Sequence, residues 1–223
     1  MITVHHLNNS RSQRVLWALE ELGVAYELKH YQRDPKSMLA PPELRAVHPL
    51  GKSPVITDGD RTIAESGAIL EYLVDRYGGG KLAPPPGTPE RLRYTYFLHY
   101  AEGSVMPPLL MKLVFDRVER SPMPFFVKPV ARKIARTVKD SFVLPQLKLH
   151  FDFIESQLGP SGWFAGEELS AADIQMSFPM EAASARGGLD ASRPRMTAFL
   201  AKIHARPAYQ RAVERGGPYA LMR

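Results

Sequence analysis

The hydrophobic pattern of residues 1–80 switches between the period of two shown by strands and the period of about 3.6 shown by helices. Residues 2–7 and 26–31 alternate as strands do. Between them, residues 12–22 carry apolar side chains at helical spacing: Val15, Leu16, Leu19 and Leu22. Gly23 follows as a helix stop. Two strands joined by one helix are expected to be parallel neighbours in a sheet, so the chain is predicted to begin with a β–α–β unit.

Two short strands and a helix complete this part of the chain, at residues 55–57, 62–64 and 66–77. A turn at residues 58–60 (DGD) joins the two strands as a hairpin, which adds an antiparallel edge to the sheet. A short helix is expected near residues 42–47. The resulting order, βαβαββα, predicts a thioredoxin-like α/β domain over residues 1–80.

The composition changes after residue 80. Residues 81–88 are rich in proline and glycine and are predicted to form a linker. Residues 89–223 are predicted to be an all-helical domain, because no strand pattern stands out there. The expected helices span 89–117, 126–158, 171–186, 193–205 and 207–215. Ser170 and Asp173 have the spacing of a capping box that starts the third of these helices.

The absence of cysteine excludes disulfides, thiolate metal sites and cysteine nucleophiles. The histidines are scattered, so no metal site is expected. No run of 18 apolar residues occurs, and the amino terminus lacks the features of a secretory signal. We therefore expect a cytoplasmic protein with no membrane partner.

The net charge is +6, and much of the excess lies between Arg117 and Lys139. This stretch is interpreted as a solvated helix face with a loop, and attraction of anionic ligands is the alternative. Phe125 and Phe126 within it are interpreted as packing residues. No nucleic-acid partner is expected, since no binding motif accompanies the charge.

Two segments predict a pocket for a small zwitterionic peptide: residues 48–55 (HPLGKSPV) and the pair Glu65 and Ser66. The backbone at Ser53 can pair with an extended peptide as an added strand does. The first amides of the following helix, with the Ser66 hydroxyl, can hold a carboxylate. Glu65 can hold an ammonium group. A tripeptide with a free amino acid head fits this description.

Four segments resemble the glutathione S-transferase family, and they occur in the family's order and spacing: residues 10–22 (SRSQRVLWALEEL), 48–55, 65–73 (ESGAILEYL) and 163–174 (WFAGEELSAADI). The start of the chain is most similar to the bacterial and fungal branch. The resemblance implies a homodimer that adds the thiolate of glutathione to small hydrophobic electrophiles, with glutathione as co-substrate and no resident cofactor. Peroxidase activity is a further expectation. A glutathione-dependent disulfide reductase and a non-catalytic glutathione-binding scaffold remain alternatives.

The resemblance also implies roles for residues of the pocket. Ser53 would pair through its backbone with the cysteinyl unit of glutathione, and Pro54 would be a cis-proline that shapes the loop. Glu65 and Ser66 would bind the γ-glutamyl head, and Lys52 would reach the glycine carboxylate.

The family's usual thiol-activating residues do not map simply onto this chain. No tyrosine occurs at the end of the first strand, and cysteine is absent, so a serine-type site remains. Counting back from Val15 puts the usual serine position on Asn9, with Ser10 one residue later. Ser10 is the preferred donor to the thiolate, Asn9 is the alternative, and Ser12 or backbone amides remain open as further donors. Ser12 is interpreted as an ordinary helix N-cap.

Two arginines lie near the start of the same helix. Arg11 and Arg14 are each expected to raise the local positive potential, and Arg14 is assigned to packing or a salt bridge. The electrophile is expected to contact an apolar stripe in the helical domain, for which core packing is the alternative interpretation: Met106, Leu110, Met111, Val114 and Phe115.

Overall fold

The computed structural model describes residues 1–221. The amino-terminal part holds a four-stranded sheet in the order β2-β1-β3-β4. Its strands are β1 (Ile2–Leu7), β2 (Tyr26–Tyr31), β3 (Val55–Asp58) and β4 (Arg61–Ala64). Its helices are α1 (Ser12–Leu22), α2 (Glu43–Val47) and α3 (Ser66–Tyr77). Strands β1 and β2 are parallel, and the other pairs are antiparallel, which confirms the predicted βαβαββα order of a thioredoxin-like domain.

Helix α1 forms where the sequence predicts it because its apolar residues fall on faces that the fold covers. Val15, Leu16 and Leu19 are fully buried. Gly23 ends the helix with a φ of 68°, a left-handed conformation that glycine adopts without steric cost. Its N–H donates to the carbonyl of Leu19.

The remainder of the described chain is helical, as predicted. Its helices are α4 (Pro89–Tyr100), α5 (Met106–Arg120), α6 (Lys128–Val138), α7 (Leu144–Gln157), α8 (Ala171–Ala182), α9 (Pro194–His204) and α10 (Pro207–Gly216). Asp173 accepts hydrogen bonds from the N–H and the hydroxyl of Ser170 at 2.8 and 2.7 Å, which confirms the capping box at the start of α8. Within residues 1–221, the helices are too short or too polar to cross a lipid bilayer.

Single π-helical turns interrupt three of the expected helices, at residues 101–105, 139–143 and 183–187. The first joins α4 to α5, where the N–H of Met106 bonds to the carbonyl of Ala101 five residues back. Pro107 and Pro108 follow directly and lack the N–H groups that would continue an α-helical ladder. The expectation of one continuous helix over residues 89–117 is therefore wrong in this detail.

Helices α5 and α6 are joined by residues 121–127, which include Phe125 and Phe126. These rings are 87% and 67% exposed. The interpretation of the two phenylalanines as packing residues is wrong, because they lie in the connection beyond the packed turns of both helices.

The two halves of the chain share one continuous hydrophobic core. Helix α1 is its central element, since it packs on α3, α8 and α10 as well as on the sheet. Trp17 of α1 meets the ring of Tyr209 of α10 edge to face at 5.2 Å. Arg206 donates two hydrogen bonds to Glu21, at 2.5 and 2.8 Å. Helix α10 therefore packs on α1 and covers part of its surface.

Candidate active site

A cleft of about 210 Å³ lies between the thioredoxin-like domain and the helical domain. Its wall contains all five residues that were predicted to bind glutathione: Lys52, Ser53, Pro54, Glu65 and Ser66. These residues come from the loop before β3 and from the start of α3. Arg11, His48 and Glu102 also line the cleft.

The loop before β3 is fixed to the end of β1 through a side chain. The Ser53 hydroxyl donates to the carbonyl of His5 at 3.0 Å and accepts from the N–H of Leu7 at 3.3 Å. The peptide bond between Ser53 and Pro54 is cis, as the resemblance implied. Within residues 1–221 the backbone N–H and carbonyl of Ser53 have no backbone partner. They remain available to an extended peptide laid beside the loop.

The start of α3 forms the opposite part of the wall. Glu65 precedes the helix with a φ of 72° and a ψ of 120°. This backbone conformation costs a non-glycine residue about 1–3 kcal/mol, and such outliers cluster at ligand sites. The buried hydroxyl of Ser66 accepts from Arg14 and from Gln175, each at 3.1 Å. Within residues 1–221 its own proton has no acceptor, so it can donate to a ligand carboxylate beside the first amides of the helix.

Arg11 at the N-cap of α1, Arg14 within α1 and the carboxylate of Glu102 form a charged cluster at the domain boundary. Arg14 donates to Glu102 at 2.5 Å, and the Arg11 Nε lies 2.9 and 3.0 Å from its two oxygens. Both guanidinium groups lie over the ring of Phe178, at 5.2 and 5.1 Å. The predicted role of Arg14 in a salt bridge is confirmed.

Burial acts on both partners of this ion pair. It opposes ionisation of Glu102, but the neighbouring charges of Arg14 and Arg11 outweigh it and hold the pKa of Glu102 below its ordinary value. Burial lowers the pKa of Arg14 from its ordinary value, although the Glu102 carboxylate opposes that shift. Both groups are ionised at neutral pH, because an arginine guanidinium keeps its proton in proteins and its positive charge favours the carboxylate form of Glu102.

A chain of hydroxyl groups runs beneath the start of α1. The Ser10 hydroxyl is 2.7 Å from that of Ser12 and 3.4 Å from that of Ser53. The Ser12 hydroxyl is in turn 2.9 Å from Nδ1 of His6. Ser10 is buried and accepts from the N–H of Ser12 at 3.2 Å. The serine favoured as thiol activator thus lies next to the Ser53 loop, just behind the cleft wall.

The interpretation of Ser12 as a helix N-cap is wrong. Arg11 occupies the N-cap position, and Ser12 is the first residue of α1. The Ser12 hydroxyl turns inward to His6 and to the carbonyl of Leu7, 3.4 Å away, because β1 ends directly beneath it.

Asn9 occupies the turn between β1 and α1. Its φ of 49° is left-handed, a conformation that asparagine tolerates better than most residues. Its side-chain oxygen accepts a hydrogen bond of 2.7 Å from the N–H of Ala220. Asn9 therefore has two roles. Its backbone forms the turn, and its side chain holds the segment after α10 against that turn.

The apolar stripe expected to contact the electrophile does not form one surface. Met106 is 4% exposed and belongs to the core, whereas Leu110 is 52% exposed. Met111 and Phe115 are half-buried. The residues spread over roughly half of the circumference of α5, because successive helical positions differ by about 100°. The assignment of Met106 to the electrophile pocket is therefore wrong, and its alternative interpretation as a core residue is correct.

Sequence reasoning missed His48 and Glu102 as cleft residues. His48 lies in residues 48–55, which were predicted to form part of the pocket, but no role was predicted for its side chain. Its Nδ1 is buried and has no hydrogen-bond partner in the described part of the chain. Glu102 comes from the first π-helical turn, and only the packing of the two domains brings it to α1. Arg11 was noted for its charge, and the structure adds that it lines the cleft.

Comparison with known proteins agrees with this geometry. Residues 1–75 match the family model "Glutathione S-transferase, N-terminal domain", and residues 121–211 match "Glutathione S-transferase, C-terminal domain". Glutathione S-transferase 1 of Saccharomyces cerevisiae is 36% identical over 193 residues, which cover 83% of this chain and 82% of that protein. Glutathione S-transferase 3 of Schizosaccharomyces pombe is 39% identical over 183 residues, which cover 82% and 74%.

A solved structure extends the similarity to the whole fold. The crystal structure of a glutathione S-transferase from Actinobacillus pleuropneumoniae superposes with a TM-score of 0.81 at 33% identity, over 100% of this chain and 96% of that one. The matching domains, the relatives and this shared architecture lead to one conclusion. The chain belongs to the glutathione S-transferase family.

Proposed function

We propose that this protein conjugates the thiolate of glutathione to small hydrophobic electrophiles. The observation that carries the proposal is the cleft itself, which unites the Ser53 loop, the start of α3 and Lys52. Together they offer a backbone edge, a carboxylate, a helix amino terminus and an ammonium group. These are the complements of an extended peptide with an amino acid head and a distant carboxylate.

In this proposal glutathione lies along the cleft with its γ-glutamyl head at α3. The ammonium group of the head pairs with Glu65, and its carboxylate accepts from the Ser66 hydroxyl and the first amides of the helix. The cysteinyl unit pairs with the backbone of Ser53. Lys52 is exposed at the cleft wall and neutralises the glycine carboxylate.

The sulfur then lies near the start of α1, where it must lose a proton. A free cysteine thiol has a pKa of about 8.5, so ionisation near pH 6.5 requires about 2.7 kcal/mol of differential stabilisation. A hydrogen bond to a charged group contributes about 1.5–3 kcal/mol, against about 0.5–1.5 for a neutral one. The Ser10 hydroxyl therefore forms a stronger hydrogen bond when it turns from its neutral partner Ser12 towards a thiolate.

Arg11 adds positive potential at the same end of the cleft. Its side chain is 35% exposed, so water screens it, and Glu102 neutralises part of its charge. Arg11 is accordingly proposed as a secondary contributor, and Ser10 as the donor. In the reaction the sulfur forms a bond to an electrophilic carbon, while a leaving group such as halide departs with its electron pair. The thiol proton goes to solvent.

Turnover of an aryl halide by the purified protein tests the proposal. We expect conjugation well above the buffer rate, with saturation by glutathione. A mixed disulfide and an organic hydroperoxide, assayed alongside, separate conjugation from disulfide reduction and peroxidase activity. Glutathione binding by calorimetry without turnover of any electrophile would refute the catalytic proposal and leave a binding protein.

We further propose that the protein is a homodimer. An apolar groove of about 460 Å³ runs along α4, lined among others by Leu92, Tyr96 and Tyr100. Leu92 is 75% exposed, and Tyr96 is 48% exposed although it stacks on Tyr100 at 5.4 Å. A preorganised aromatic surface of this kind is typical of interfaces between protein chains. A second copy of the chain is the proposed occupant.

A further inference from the structure

The connection between α5 and α6 and the exposed side of α6 form a surface that the proposed activity does not use. We call residues 125–137 the tip surface. Its apolar members are Phe125, Phe126, Val130 and Ile134, whose exposed fractions are 87%, 67%, 59% and 57%. Val130 and Ile134 are one helical turn apart, so they lie on the same side of α6. The rings of Phe125 and Phe126 meet edge to face at 5.5 Å, directly before α6. Exposed apolar side chains grouped in this way are typical of interaction sites.

The same surface is strongly basic. Lys128, Arg132, Lys133 and Arg136 all lie on α6 and are exposed. No acidic residue occurs anywhere between Arg120 and Lys139 in the sequence. Among residues 1–221, Arg136 pairs with Glu119 at 3.3 Å, but its side chain stays 69% exposed. The tip surface therefore combines apolar side chains with an excess of positive charge.

The tip surface is separate from the cleft. Helix α6 packs mainly on α5 and on the π-helical turn that follows it. None of its residues lines the cleft. Its buried side is formed by small residues such as Ala135, which is fully buried. The contact with α5 thus holds the helix in place and leaves its apolar edge and basic side facing solvent.

We propose that the tip surface binds the surface of an anionic lipid bilayer. A helix that lies in the membrane interface combines apolar and aromatic residues on one side with lysine and arginine on the other. Phe125 and Phe126 would enter the boundary between headgroups and acyl chains. The basic residues of α6 would contact anionic headgroups, which attract such charges within a Debye length.

The charge pattern favours a lipid surface over a second copy of the chain. In a two-fold dimer the same patch faces itself, so the basic side chains of α6 would oppose one another. Nucleic acid shares the charge complementarity, but backbone phosphates offer no apolar phase for Val130 and Ile134. A lipid surface complements both the basic and the apolar side chains of the tip surface.

Vesicle flotation tests the proposal. The full-length protein is mixed with phosphatidylcholine vesicles that contain about 30% phosphatidylserine, or with phosphatidylcholine alone. We expect flotation with the anionic vesicles only, and release at about 0.5 M salt, where the Debye length is only a few ångström. Equal binding to both vesicle types, or binding to neither, would overturn the proposal.

Two double variants separate the apolar and the basic contributions. Phe125→Ser with Phe126→Ser, and Arg132→Glu with Lys133→Glu, should each lower vesicle affinity by roughly tenfold or more. Matched controls are Leu149→Ser, which removes an exposed apolar side chain from α7, and Lys36→Glu with Lys81→Glu, which makes the same charge change at two exposed lysines elsewhere. The controls should float like the wild type. Circular dichroism and conjugation without vesicles should be unchanged in every variant.

Two further results would also contradict the proposal. If the phenylalanine variant floats normally but changes the oligomeric state on gel filtration, the tip surface binds a second copy. If RNA competes with anionic vesicles and binds the phenylalanine variant as well as the wild type, the surface binds nucleic acid.

Discussion

The buried guanidinium of Arg14 pairs with the carboxylate of Glu102 across the boundary between the two domains. The same guanidinium donates to the Ser66 hydroxyl, which lines the cleft. One arginine therefore links a helical-domain carboxylate to the place where the head of glutathione is proposed to bind. The position of Ser66 depends on a contact that neither domain could form alone.

Glu102→Gln should destabilise the protein and weaken glutathione binding together. The substitution keeps the size of the side chain but leaves Arg14 as an uncompensated buried charge, which costs about 3 kcal/mol. Urea unfolding measures the first effect, and calorimetry measures the second. Lys148→Gln is the control, since it breaks an ion pair with Asp152 whose side chains are 73% and 48% exposed and should cost less than about 1 kcal/mol. Equal effects of the two substitutions would contradict the importance of the Arg14 pair.

Ser10→Ala should lower the conjugation rate more than it lowers glutathione affinity. Loss of a hydrogen bond to a thiolate corresponds to a decrease of roughly 10- to 100-fold in kcat/KM, and the pKa of the bound thiol should rise by about 1–2 units. Ultraviolet absorbance of the bound thiolate, followed against pH, reports that pKa directly. Asn9→Ala is the comparison variant. If Asn9→Ala shifts the thiol pKa and Ser10→Ala does not, the donor has been assigned to the wrong residue.

Glu65→Gln should weaken glutathione binding by roughly tenfold or more, because the ammonium group loses a charged hydrogen-bond partner. The fold should be unaffected, since the Glu65 side chain is exposed and makes no capping hydrogen bond. Calorimetric titration gives the affinity, and a thermal melt without ligand gives the stability. Glu43→Gln, an exposed carboxylate on α2, provides the control. An unchanged affinity would show that the head of glutathione binds elsewhere.

Stability should fall as the pH decreases from about 6.5 to 4, and His6 should contribute to that loss. Burial lowers the pKa of His6 to about 4, and the neighbouring His30 adds to this effect, whereas a hydrogen bond with the Gly216 backbone opposes it. The unfolded chain binds the proton at the ordinary value of 6.5, so acid favours unfolding. The loss amounts to about 2 kcal/mol between pH 7.5 and 5.

His6→Asn isolates this term, because asparagine keeps a hydrogen-bonding group near the Nδ1 position but does not titrate. The unfolding free energy of the wild type minus that of the variant should fall by about 2 kcal/mol as the pH decreases from 7.5 to 5, because only the wild type loses this stability. A difference that stays constant over this range would exclude His6 as the titrating group.

Tyr96→Glu should convert the proposed dimer to monomer. The substitution places a charge in the apolar groove of α4, where it would be buried against a second copy without a partner. Sedimentation velocity gives the oligomeric state, and Phe126→Glu provides a matched charge on an exposed ring outside the groove. If the wild type is already a monomer at micromolar concentration, the groove has another role.

The order of elements could be predicted from the sequence because each strand and helix carries its own period. The strands of the sheet, helix α1 and its Gly23 stop all follow from local patterns. The cleft could also be predicted, since Lys52, Ser53, Glu65 and Ser66 lie in two short segments with recognisable turn and helix-start chemistry.

What could not be predicted depends on contacts between distant parts of the chain. Glu102 lines the cleft only because α4 packs against α8 and the π-helical turn projects from its end. Ser12 has the residue type of an N-cap, but the end of β1 offers its hydroxyl better partners. Helical spacing alone could not say whether Met106 faced the core or a pocket, because both choices fit the same apolar pattern.

Helix α10 covers helix α1, although Arg206 and Glu21, which join them, are 185 residues apart in the chain. During translation the sheet and α1 leave the ribosome long before α10 does, and an apolar side of α1 stays uncovered in the meantime. Transiently exposed apolar surface of this kind favours aggregation of an incomplete chain. Competence to bind glutathione should arise only after α10 has been synthesised and has docked on α1.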